Sequence, residues 1–155
     1  MKRAAWIVVL VLAAACGAPR RAEDSFQKLP LEPIVTVEVK DPNFELVVVE
    51  AVPNADDEGV SFTKIFVDGK EAGKTAVGPR SQEKRARLKL PVGNLPVRLE
   101  HWLLPPVGEW TCLDDAHQPR ERFVRVEDGA ITRLTLRYAA DGAPALQLTR
   151  EAGPR

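Results

Sequence analysis

The sequence predicts an all-β fold: a single antiparallel β-sandwich of about eight or nine short strands, set behind a signal peptide and a flexible tether. Three observations carry this. From Ile34 onward, apolar residues alternate with polar ones at the period of a half-buried strand, as in Val35, Val37 and Val39 against Thr36 and Glu38. Turn dipeptides punctuate the runs, Asp68-Gly69 and Asp141-Gly142 among them. No long stretch keeps the 3.6-residue period of an amphipathic helix.

The chain begins with Lys2 and Arg3, then an uncharged run from Ala4, then small residues leading to Cys16-Gly17. Basic start, apolar middle and small-residue exit are the layout of a secretory signal. The run is charge-free for only about fifteen residues, short of the roughly 20 that a membrane-spanning helix needs. A retained span and a plain signal peptide remain the alternatives. The stretch Leu12-Ala13-Ala14-Ala15-Cys16 resembles the lipobox of bacterial lipoproteins. That resemblance implies removal of residues 1–15, a diacylglyceryl thioether on Cys16 and an acylated new amino terminus. Acyl chains contribute about 0.8 kcal/mol per buried methylene, and two or more give stable attachment. The lipid bilayer is then the first partner, reached through Cys16. The protein would sit at the cell membrane or outer membrane, facing the periplasm if the host has two membranes. Gly17, in place of an aspartate, implies outer-membrane sorting in such a host.

Residues 16–33 form the tether, polar and broken by Pro19, Pro30 and Pro33. The sandwich is expected over 34–150, with a disordered tail at 151–155. Its elements follow in order. Ile34 to Val39 is a strand and Asp41-Pro42-Asn43 a turn. Phe44 to Val52 is a strand whose Val47-Val48-Val49 suggests burial on both faces. Asn54 to Gly59 is an acidic loop. Val60 to Val67 is a strand closed by Asp68-Gly69, with Lys70 to Val77 as its return. Pro79 to Arg85 is a charged loop or a single helical turn. Ala86, Leu88 and Leu90 mark a strand, and Val97, Leu99, His101 and Leu103 mark another, alternating with Arg98, Glu100 and Trp102. Pro105 to Arg120 is irregular. Phe123 to Val126, the Glu127-Asp128-Gly129 turn and Ile131 to Tyr138 form strand, turn and partner strand. Leu146 and Leu148 mark the last strand.

Lys64 to Lys70, followed by Gly73-Lys74-Thr75, resembles the opening hairpin of PEGA-type surface-layer domains. Leu90-Pro91-Val92-Gly93 and the strand–turn–strand from Phe123 to Leu136 match the later parts of that pattern. The resemblance covers about residues 63–137. It implies a small extracytoplasmic sandwich for adhesion or scaffolding, without catalytic residues. A transthyretin-like or immunoglobulin-like sandwich fits the pattern equally.

Charge and cysteine content bound the function. Without residues 1–15 the chain holds 20 basic and 22 acidic residues, about −2, so the clustered basic excess of a nucleic-acid binder is missing. Cys16 and Cys112 are the two cysteines. A lipidated Cys16 leaves Cys112 without a partner in its own chain, to serve as a small buried hydrophobe, an intermolecular disulfide or a reactive thiol.

Few residues offer chemistry. None of Ser25, Ser61 and Ser81 lies in a Gly-x-Ser-x-Gly elbow, so no catalytic set and no cofactor is expected. Asn54 to Gly59 opens like a calcium loop, but Ile65 stands where the bidentate acid belongs, so no metal site is assigned there. Cys112, Asp114, Asp115 and His117 mix soft and hard ligands too closely for a usual zinc set. Trp102 and Trp110, with Asp114, Asp115 and His117 nearby in sequence, form the candidate ligand or partner face, because tryptophan is enriched at binding hot spots. Capping of the sandwich end is the structural alternative. The expectation is a membrane-anchored exported lipoprotein whose sandwich is a binding or scaffolding module of the cell envelope, its partner an envelope protein or a glycan. The alternatives are a small-ligand or glycan binder through the Trp110 loop and a thiol- or metal-dependent enzyme around Cys112 and His117.

Overall fold

The structure, a computed structural model, describes residues 39–153. These belong to one compact unit, Pro33–Arg155. The signal, Cys16, the tether and all but the last residue of the strand expected at 34–39 lie outside the described residues.

Among the described residues, ten strands make two sheets. The first sheet holds β1 (Phe44–Glu50), β5 (Lys84–Leu88), β9 (Ala130–Tyr138) and β10 (Pro144–Ala152), in the order β10-β9-β1-β5. The second holds β2 (Val60–Val67), β3 (Lys70–Lys74), β4 (Gly78–Pro79), β6 (Gly93–Leu104), β7 (Thr111–Cys112) and β8 (Arg122–Val126). In it β2 and β6 are the central pair. β3 and β4 lie beside β2, and β7 and β8 lie beside β6. The all-β sandwich is therefore present, with two added strands, β4 and β7, each only two residues long.

Alternation builds the core. Phe44, Leu46 and Val48 of β1 and Leu134, Leu136 and Tyr138 of β9 bury one face of the first sheet. They belong to the same buried cluster as Ile65 and Val67 of β2, Leu95, Val97 and Leu99 of β6, and Val124 and Val126 of β8. Burying one such side chain contributes about 1.5–3 kcal/mol, so the period-two pattern is what selects the inward faces.

Several expectations are corrected in detail. β1 and β9 run parallel, Phe44 opposite Thr132 and Glu50 opposite Tyr138, within an otherwise antiparallel architecture. β8 and β9 are not a hairpin pair. β8 pairs with β6, β9 with β1 and β10, and the turn between them passes from one sheet to the other. The Thr132 hydroxyl donates to the Arg125 carbonyl at 3.0 Å and ties this crossing. β5 starts at Lys84, inside the stretch expected to be a charged loop. The return strand β3 stops at Lys74, and Glu151 and Ala152, expected in a disordered tail, pair with Ile131 and Ala130. The 105–120 stretch is not wholly irregular, since Thr111 and Cys112 pair back onto Leu103 and Trp102.

The Asp68-Gly69 turn forms as expected, both residues at positive φ. Before β1, Asn43 is buried, and its side chain donates to the Leu90 carbonyl at 2.8 Å and accepts from the Leu90 amide at 2.7 Å. This clip satisfies backbone groups of Leu90 at the end of the sandwich.

Candidate functional site

On β2 the inward positions are Ser61, Thr63, Ile65 and Val67, and the outward ones are Val60, Phe62, Lys64 and Phe66. The aromatic residues therefore sit on the outer face, and the polar ones point into the core. Phe62 lies opposite Trp102 across the β2–β6 pair. Their rings are near parallel, 6.2 Å between centroids and 6° between planes. Trp110, carried back by the β6–β7 hairpin, meets Phe62 edge-on at 5.0 Å and 71°. All three rings are half-buried. Lys64 holds its ammonium 5.9 Å from the centre of the Trp102 ring, and Lys74 of β3 stands 5.9 Å from that of Phe62. A little further along, the Arg98 guanidinium lies 4.2 Å from the centre of the Phe66 ring. Contacts of this kind stabilise by about 0.5–1 kcal/mol at exposed sites.

Trp102 and Trp110 are thus brought together, with Phe62 as the link between them. Asp114 and His117 form a separate unit. Asp114 Oδ1 lies 2.7 Å from His117 Nδ1 and accepts from the amides of Ala116 and His117. These contacts hold the Asp114 carboxyl below its ordinary range. His117 packs against the turn at Gly142, and Asp115 is exposed. Among the described residues no ring contact, hydrogen bond or ion pair joins Asp114, Asp115 or His117 to the tryptophans.

Cys112 lies opposite Trp102. Its sulfur accepts from Gln118 Nε2 at 3.2 Å, while the Nδ1 of His117 is engaged by Asp114. Burial, then the charge of Glu100, pushes the Cys112 thiol up. A raised thiol holds little thiolate near neutral pH, which works against nucleophilic chemistry. Among the described residues, no three His, Cys, Asp or Glu side chains gather as metal ligands.

Beneath the aromatic end of β2 lies a buried ionic cluster absent from the sequence expectations. Glu50, with a fully buried side chain, accepts from Lys84 Nζ at 3.0 Å, Arg80 Nε at 3.0 Å and the Ser61 hydroxyl. His101 Nε2 lies 3.3 Å from Glu50 Oε2, outside hydrogen-bond geometry. Its other ring nitrogen is 2.8 Å from the Thr63 hydroxyl, and its ring centre is 4.6 Å from that of Tyr138. Burial alone would raise the Glu50 carboxyl, but His101, Ser61 and Lys84 outweigh it and hold it down at about 2. Burial, helped by Glu50 and Cys112, pushes the Tyr138 phenol up. Arg80 is the outer limb of this cluster and also lines a surface cleft of about 450 Å³ with Ala51, Pro53, Asp56, Leu103 and Pro106.

Parity could have found this cluster. Glu50 continues the Phe44, Leu46, Val48 series, and Lys84 precedes Ala86 on the same face.

No protein-family model, curated protein or solved structure matches the chain.

Proposed function

We propose that this chain is an exported lipoprotein, anchored through Cys16, whose β-sandwich acts as a binding or scaffolding module of the cell envelope. The observation that carries the binding half is the gathering of Phe62, Trp102 and Trp110 on the outer face of a sheet. Core packing has no need of three large rings there, and rings of this kind supply rigid contact area at low entropy cost. The neutral, turn-rich sandwich resembling PEGA-type domains supports an adhesive or scaffolding role. The anchor half rests on the Lys2-Arg3 start, the apolar run and Cys16 itself, which lie outside the described residues.

Palmitate labelling of growing cells tests the anchor. Wild type should take up label and fractionate with membranes, and Cys16→Ser should lose the label. Label retained by Cys16→Ser, together with its membrane association, refutes the anchor.

A further inference from the structure

We propose that the Phe62–Trp102–Trp110 face binds a glycan carrying carboxylate groups, such as a uronic-acid polymer; this rests on the reading of that face as the binding surface. Lys64 and Lys74 stand directly opposite each other on β2 and β3. Like charges in that position cost stability, and a local cost at an exposed site marks a place where function outweighs packing. Glu71 offsets Lys64 at 3.2 Å. Lys74 is exposed, and among the described residues no carboxylate lies within ion-pair distance of it. The outward positions named on β2, β3 and β6 hold three cations, Lys64, Lys74 and Arg98, against two carboxylates, Glu71 and Glu100. Arg98 and Glu100 bind each other, which leaves the excess positive charge beside the rings.

The chemistry of the occupant follows. A pyranose ring has an apolar face of C–H groups that lies flat on an aromatic ring, while its hydroxyls stay in water. A carboxylate on that sugar meets the ammonium group of Lys74 beside Phe62, since Lys64 is engaged by Glu71. Along Lys64–Val67, β2 is hydrogen-bonded to β3 on one side and β6 on the other, so a peptide strand cannot add to β2 itself. The open edge of this sheet is β3, and a strand added there would lie in the plane of the sheet and leave the ring faces uncovered. The rings are half-buried in a sheet face, so they lack the reach of an apolar tip into a bilayer. An acidic glycan matches ring faces and charge together.

Affinity electrophoresis of the full chain in a neutral detergent tests this, with polygalacturonate, its methyl ester or dextran cast in the gel. Polygalacturonate should retard the protein. Trp110→Ala and Lys74→Ala should each weaken retardation by at least about tenfold, with unchanged circular dichroism, and added salt should weaken it further. Equal retardation by the methyl ester, or retardation that survives Lys74→Ala, overturns the acidic-glycan assignment. So does detergent-free flotation of the Cys16→Ser protein with phosphatidylglycerol vesicles, lost in Cys16→Ser/Trp110→Ala, when polygalacturonate has no effect. If all glycans fail while the face is still shielded in the intact envelope, this inference fails and the binding-module reading stands. If the face is unshielded as well, both fail.

Discussion

Glu50 shows how one side chain can tie two layers of this fold. It ends β1 on the inward face, and its carboxylate gathers Lys84 from β5, Ser61 from β2, Arg80 from the loop before β5 and His101 from β6. Removing one partner of a buried pair leaves an uncompensated charge, at a cost of about 3–5 kcal/mol. Glu50→Gln strands Lys84 in this way and should lower stability by that amount in urea unfolding. The pH dependence has a definite sign. The folded-state pKa is depressed from 4.5 to about 2, so the contribution is fully present above about 4.5 and is lost as pH falls toward 2. The wild-type urea midpoint should therefore fall across that window, and Glu50→Gln should flatten the part due to Glu50. A Glu50→Gln protein as stable as wild type, with the same pH profile, would contradict the cluster's role. Glu50 has the parity of Phe44, Leu46 and Val48, but a charged residue at a strand end reads more simply as solvent-facing. Its partners come from positions up to 51 residues away, which no local pattern connects.

Among elements, β2 was legible as a strand and partly misleading as a surface. Val60 to Val67 has the expected period and closes on Asp68-Gly69. Yet Phe62 and Phe66 look outward while Ser61 and Thr63 look inward, because the ionic cluster takes the polar residues and the outer rings pack among themselves. A hydrophobic alternation read alone reverses the two faces at this end. The shared parity of Trp102 with Arg98 and Glu100 is the better signal, since it sets Trp102 on the outer face. β7 and β4 had no signal at all, because two-residue pairings are set by where a loop happens to fall. The start of β2 also fixes a tight contact. A methyl group added at Gly59 would stand 2.4 Å from the Leu104 carbonyl oxygen, and backbone there has no room to retreat without opening the β2–β6 pair. Gly59→Ala should destabilise by about 1–3 kcal/mol. Gly69, at φ +73° in open space, serves a different need, the left-handed turn, and Gly69→Ala should cost nearer 1 kcal/mol. Urea unfolding of the two variants checks both. A neutral Gly59→Ala would show that β2 and β6 are not held this closely.

The whole molecule combines a sheet pattern that the sequence states clearly with a pairing scheme that it does not. Whereas β1 also buries Glu45 and Val47 and so is covered on both faces, the inward residues of β6, β8 and β9 were recoverable because each follows a period of two. The parallel β1–β9 pair and the β8–β9 crossing were not, because strand neighbours depend on how two sheets share one core. The same holds for the candidate face. Trp102 and Trp110 were visible in the sequence, whereas Phe62 and Lys74 join them only through the β2–β6 and β2–β3 registers. Asp114 and His117 were grouped with the tryptophans by proximity along the chain, and the fold separates them into a turn of their own.

The central claim is that this aromatic face meets a partner in the envelope. Hydroxyl-radical footprinting addresses it directly, comparing the purified full chain with the same chain in intact cells and normalising to Leu148 on the edge strand β10. The account predicts that Phe62 and Trp110 are oxidised in the purified protein and protected in the envelope, while Leu148 changes little. Equal oxidation of Phe62 and Trp110 in both settings would contradict it.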